Sequence, residues 1–199
     1  VRARAAPAAS IAHRLPPPPP GPACGWDAKG CFRYLKAHAA ELGLDPSRFA
    51  VLGGSMGGHL TSMIAACNGS RADEGDIGGN TEFDSSVKAA CASFAFTDFF
   101  GMGDDCAAVW PLQADRIARC DGPYAPLASM LDYVGPGKGM ADVKLHLHDP
   151  DPKYVALREK ARDASPICHV TAKSAPTVLV HGIYECGIQV PMGQSLRFF

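Results

Sequence analysis

Residues 53–58 read Gly-Gly-Ser-Met-Gly-Gly, and their flanks constrain the fold more than any other part of the chain. Before them lies a short apolar run, Phe49-Ala-Val-Leu52, which reads as a buried strand. After them, His59 to Cys67 reads as a helix with Leu60, Met63, Ile64 and Cys67 on one face. A strand, a glycine-rich turn and a helix in this order belong to an α/β architecture with a parallel sheet. Gly53, Ser55 and Gly57 also fit the spacing G-x-S-x-G. A nucleophilic serine must project from a very tight turn, and side chains two positions either side are expected to clash there. The helix that follows aims amide N–H groups and its positive end at the same place, so the Met56 amide is a candidate oxyanion donor. The alternative is a glycine-rich turn for close packing or anion binding. A dinucleotide fingerprint would need glycine at position 55, and a P-loop would need Gly-Lys-Ser/Thr, which the sequence lacks.

The other elements fall around this centre. Asp27 to Leu42 carries Ala28, Cys31, Phe32, Leu35, Ala39 and Leu42 at helical spacing, with Asp27 as the expected N-cap and Gly43 as the stop. Residues 7–14 read as a short strand around Ile11. Pro16 to Pro20 favour polyproline II, either as a stiff surface loop or as a ligand for an SH3-type domain. Asn68 to Ser86 reads as a loop, Val87 to Phe96 as a buried strand, Pro176 to His181 as a strand, and Gln189 to Phe199 as the start of a helix. Residues 97–165 read as irregular, with a short helix near 152–164, and a long insertion of this kind suits a lid or binding loop. The chain holds 21 glycines and 17 prolines, about a fifth of its length, so it turns often. No repeat and no domain linker is visible, and 1–199 reads as one domain.

Composition removes several functions. With 19 basic and 20 acidic residues the net charge is −1, so the basic surplus of a nucleic-acid binder is missing. No apolar run approaches the ~18 residues of a membrane helix. Eight cysteines are too few for a disulfide scaffold, and none form a C-x-x-C pair. The even count and the sequon Asn68-Gly69-Ser70 hint at secretion, while a free buried thiol is ordinary, so the compartment stays open. The first 26 residues contain three arginines and no acid, as in a transit peptide or in a segment cut from a longer chain.

A serine nucleophile needs a base, and a histidine base needs a carboxylate to orient it. With this type of turn the chain order is serine, acid, histidine. Glu185, four residues past the 176–181 strand, is the candidate acid; otherwise it is a solvated loop residue. No histidine follows it. The seven that exist are poorly placed. His59 sits one turn into the helix and points away from Ser55, His181 precedes the acid, and His38 lies on a helix surface. His146 and His148, with Asp149 and Asp151, offer a remote metal possibility on one strand face. His169 is a long shot as base.

Several segments resemble the α/β-hydrolase esterases related to feruloyl, acetyl-xylan and hormone-sensitive-lipase-like enzymes. They are residues 9–15, Trp26-Asp27 through Ala39, Leu44 through Leu60, Glu74 through Asn80, Ala164-Ser-Pro166 and Val180-His-Gly-Ile-Tyr-Glu185. The resemblance implies a three-layer α/β-hydrolase fold, a mostly parallel sheet flanked by helices, with 97–165 as a cap. It implies a small-molecule ester as substrate and no metal or organic cofactor. Carried over by position, Ser55 is the nucleophile, Met56 the oxyanion donor and Glu185 the triad acid, where the family usually has Asp. The family's first strands, with the His-Gly-Gly segment of the oxyanion hole, would precede Val1, and its catalytic histidine would follow Phe199. The expectation is therefore an incomplete, marginally stable four-strand remnant with exposed apolar surface and little activity of its own. Two rivals remain: a non-catalytic binding protein on a degenerate hydrolase fold, and a serine peptidase of the prolyl-oligopeptidase type.

Overall fold

A computed structural model describes residues 6–14, 23–182 and 190–199. Three strands form one parallel sheet in the order β1 (Ala50–Gly54), β2 (Ala89–Ser93), β3 (Thr177–Val180). Leu52 lies opposite Cys91, and Cys91 opposite Val178. Helix α1 (Ala23–Ala37) precedes β1, and α2 (Met56–Cys67) follows it. Both pack on one face, where Ala28, Phe32, Leu60, Ile64, Ala65, Val87 and Ala90 make a core with partly buried Val51.

Among the described residues, nothing covers the apolar side chains of the opposite face. Leu52, Val178 and Val180 project from it and are 82%, 62% and 50% exposed. A parallel sheet normally buries both faces, so this is the apolar surface the sequence led one to expect.

Several expectations need correction. Residues 6–14 are irregular, so three strands rather than four are present among the described residues. This segment is mostly Ala and Ser, and it is anchored by packing of Ile11 on the α1–α2 core and by Arg14 bound to Asp27. Asp27 is consequently not an N-cap: α1 begins at Ala23, and Asp27 lies within it, its carboxyl held below the usual range chiefly by the hydrogen bond from Arg14. Regular helix ends at Ala37, with further turns continuing to Gly43, whose φ of 64° suits glycine. Leu42, assigned to the apolar stripe, is half exposed. Strand β2 stops at Ser93 because Phe94 turns into a left-handed conformation, φ 38°. The five prolines lie outside the described residues.

Residues 97–165 are more ordered than their composition suggests. They hold α3 (Met102–Val109), α4 (Ala114–Asp121), α5 (Pro126–Met130), α6 (Met140–Leu145) and α7 (Pro152–Asp163). With Phe96 and Val190 they build a second core from Phe99, Met102, Leu127, Leu131, Met140 and Val143. A disulfide, Cys106–Cys120, joins α3 to α4 inside it. The last helix, α8 (Gly193–Phe198), is tied to α3 by Arg197 and Gln194, which both donate to Asp105. Gln194 also accepts from the amides of Thr97 and Asp98.

Candidate active site

Ser55 occupies the single residue between β1 and α2. Its backbone stands at φ 54°, ψ −119°, a region that non-glycine residues rarely enter. Its amide donates to Ser93 O at 3.0 Å and its carbonyl accepts from the His59 amide at 2.9 Å. Two backbone bonds therefore hold a strained residue in place. The hydroxyl does not cap the helix. Strain of this kind persists only where the surroundings enforce it, and it clusters at functional sites.

The glycines explain the enforcement, in part differently from the sequence reading. A side chain at Gly53 would drive into the backbone of Gly57, so Gly53 is required as expected. A Cβ on Gly57 itself would meet nothing within 4 Å, so the expected clash there is absent. Gly58 is the tighter position: a Cβ would come 2.6 Å from Ser93 O and 3.1 Å from the Ala95 Cβ. That contact lies across β2, and no local spacing rule reveals it. At Gly54 the Phe94 ring covers the backbone, 2.9 Å from where a Cβ would be.

Met56 is the first residue of α2, so its amide has no carbonyl one turn back within the helix. That N–H and the positive end of α2 sit immediately beside Ser55. The Met56 side chain packs against both the α1–α2 core and the core of residues 96–164. Glu185 lies outside the described residues.

The histidines are engaged elsewhere. His59 is fully buried; its Nδ1–H donates to Phe96 O at 3.0 Å and its ring stacks on Phe96. Burial pulls its pKa down to about 4, so it is neutral at neutral pH. His181 uses both nitrogens: Nε2–H donates to Val190 O at 3.0 Å, and Nδ1 accepts from Ser195 Oγ at 2.8 Å. His38 is half-buried and stacked on Tyr34, to whose carbonyl its Nδ1–H donates. His146 caps the end of α6 and stacks on Tyr154, while His148 is exposed in a turn, so the pair does not share a strand face. His169 donates from Nε2 to Asp163 O and faces Asp73 with Nδ1.

A parallel α/β sheet carrying a strained serine between a strand and a glycine-packed helix defines the class of α/β hydrolases. Comparison with known proteins gives the family: the BD-FAE family model matches residues 6–116, over half of the sequence, and the chain belongs to this family of α/β-hydrolase esterases. A probable carboxylic ester hydrolase of Mycobacterium tuberculosis, LipM, is 28% identical over 172 residues, 86% of this chain and 32% of LipM. Among solved structures, a truncated carbohydrate esterase from gut microbiota superposes with a TM-score of 0.64 at 23% identity, over 89% of this chain and 54% of that one. A butyrate-bound esterase of Thermogutta terrifontis gives 0.54 at 23%, over 90% and 49%. The chain thus spans about a third to a half of the length of these relatives. No helix among the described residues is long and apolar enough to cross a membrane.

Proposed function

We propose that the protein carrying this chain hydrolyses small carboxylic esters through an acyl-enzyme, with Ser55 as nucleophile. The observation that carries this reading is the strained Ser55 backbone at the head of α2. Ser55 Oγ attacks the ester carbonyl carbon while a histidine takes its proton. The tetrahedral oxyanion is held by the Met56 amide and the positive end of α2. The alkoxide leaves with the proton returned by the histidine, and water then releases the acid by the same steps in reverse. Glu185 orients the histidine. Residues 97–165, with a core of their own against Met56, form the cap that shapes the acyl and alcohol sites. The butyrate held by the Thermogutta esterase favours a short acyl group.

On this reading the base is not one of the histidines packed near α2 and the sheet. His59 and His181 are committed to structural hydrogen bonds. His169 sits at the C-terminal end of α2, whereas Ser55 is at its N-terminus. Whether the isolated chain turns over ester is therefore a direct test of where the base lies.

The test is hydrolysis of short p-nitrophenyl esters by the natural polypeptide containing residues 1–199, beside its Ser55→Ala variant and the isolated chain. The variant is expected to lose about 10⁴-fold or more. Undiminished turnover in the variant refutes Ser55 as the nucleophile, and no turnover by the natural polypeptide favours a binding protein on a hydrolase fold. Ser55-dependent turnover by the isolated chain would place the base among its own histidines.

A further inference from the structure

The far end of α2 holds a second constellation, remote from Ser55. Twelve residues of helix separate the two by about 18 Å. Cys67 ends α2, Asp73 ends the turn Arg71–Asp73, and His169 ends the turn Pro166–His169. One ligand atom from each lies within 4.8 Å of the other two. From this geometry we propose that Cys67, Asp73 and His169 bind a divalent transition-metal ion, zinc by the chemistry of the donors, as a structural clasp between α2 and two loops.

The donor set is a sulfur, an imidazole nitrogen and a carboxylate oxygen, which suits zinc better than magnesium or calcium. Tetrahedral zinc with bonds of about 2.0–2.3 Å places its ligand atoms roughly 3.3–3.8 Å apart. His169 Nδ1 and Asp73 Oδ1 already stand 3.7 Å apart, and a small closure of Cys67 completes the set.

The His169 ring supplies an independent argument. Its Nε2–H donates to the Asp163 carbonyl at 3.0 Å. In the neutral ring that bond leaves Nδ1 as a bare lone pair, facing a carboxylate oxygen. Two acceptors turned toward each other repel unless a cation sits between them, either a proton on Nδ1 or a metal ion, and the cysteine beside them favours the metal. A backbone carbonyl that fixes the outer nitrogen while the inner one faces an acidic partner is the outer-shell pattern of histidine ligands to metals.

Lys29 also borders the site. It is buried, and its ammonium donates to Asp73 O at 2.5 Å and interacts with Cys67. Without metal it supplies the local positive charge beside a buried, protonated Cys67 thiol; a divalent ion displaces that thiol's proton to solvent, and the bond from Lys29 to the Asp73 carbonyl can stay. Zinc with one thiolate and one carboxylate is neutral, so metal binding raises the charge of the cluster, Lys29 included, by one. The fourth position is left for water.

The experiment is titration of the folded natural polypeptide containing this chain, prepared without oxidant and with the Cys106–Cys120 bridge intact, with Zn²⁺ against a chromophoric chelator, and with Co²⁺ as a spectroscopic probe. One equivalent of Co²⁺ is expected to give a thiolate charge-transfer band that Zn²⁺ abolishes. His169→Ala, a substitution at a partly exposed turn, should weaken binding by about 10–100-fold or more. Cys67→Ser should remove the band, and Cys168→Ser, at an exposed neighbour, should leave it intact. Loss of the band in Cys168→Ser alone, or equal affinity in wild type and His169→Ala, overturns the proposal. So does the absence of stoichiometric binding. None of these readouts depends on ester hydrolysis.

Discussion

Acid should destabilise this fold through His59 before its ordinary carboxylates dominate. The ring is fully buried, its Nδ1–H is spent on Phe96 O, and burial lowers its pKa from 6.5 to about 4. In the unfolded chain the same ring protonates near 6.5. The folded pKa is the lower one, so the unfolded state binds the extra proton between these values and stability falls as pH falls. The contribution is complete above about pH 6.5 and is lost as the pH drops toward about 4. At about 1.4 kcal/mol per unit, the loss between about pH 7.5 and about pH 4.5 is roughly 2–3 kcal/mol. That is a large share of the ~5–15 kcal/mol of an ordinary domain.

Urea denaturation of wild type and His59→Phe at both pH values isolates the effect, because the carboxylates cancel in the difference. At the higher pH the variant is less stable by about 1–3 kcal/mol, since Phe96 O loses its donor. At the lower pH the gap should shrink by roughly 2–3 kcal/mol or reverse. A gap independent of pH would refute the reasoning.

Other outcomes follow from the same structure. Arg33 is fully buried and donates to Glu74 Oε2 and to the carbonyls of Glu74, Ile77 and Gly79, so it pins residues 74–79 to α1. Arg33→Met should cost about 3–5 kcal/mol in urea denaturation, because buried Glu74 keeps its two hydrogen bonds from Ser85 but loses its counter-ion. Removing the Cys106–Cys120 bridge by a double Ala substitution should cost about 3 kcal/mol, the chain-entropy value for a loop of about 15 residues, read from the midpoint with and without reductant. On the exposed sheet face, Leu52→Lys should change stability by less than about 0.5 kcal/mol while reducing self-association in sedimentation. A cost of 2 kcal/mol or more would show that the face is covered in solution.

The elements nearest the serine were the most legible in the sequence. A four-residue apolar run, a glycine turn and a helical stripe are local signals, and β1, α2 and β3 form within a residue or three of the expected places. Asp27 misled because a carboxylate at an apparent helix start is indistinguishable from one that binds a distant Arg14. The 7–14 segment misled because one β-branched residue among alanines cannot say whether a neighbouring strand exists to pair with it. The helices of 97–165 were hidden by their shortness: five to eight residues carry too little periodicity to read, except α7 with its Asp151 cap. At the site, Ser55 and Gly53 could be read from spacing. Gly58 could not, because the atom that demands it belongs to Ser93 across the sheet. The Cys67–Asp73–His169 cluster joins residues up to about a hundred positions apart, a juxtaposition that only the folded chain shows.

The central claim is that Ser55 is the nucleophile, and covalent labelling tests it most directly. The natural polypeptide containing this chain would be treated with a fluorophosphonate and digested, and the modified peptide located by mass spectrometry. The account predicts a single adduct on Ser55, absent from the Ser55→Ala variant and from acid-unfolded protein. An adduct on another serine, or labelling that survives Ser55→Ala, would contradict it.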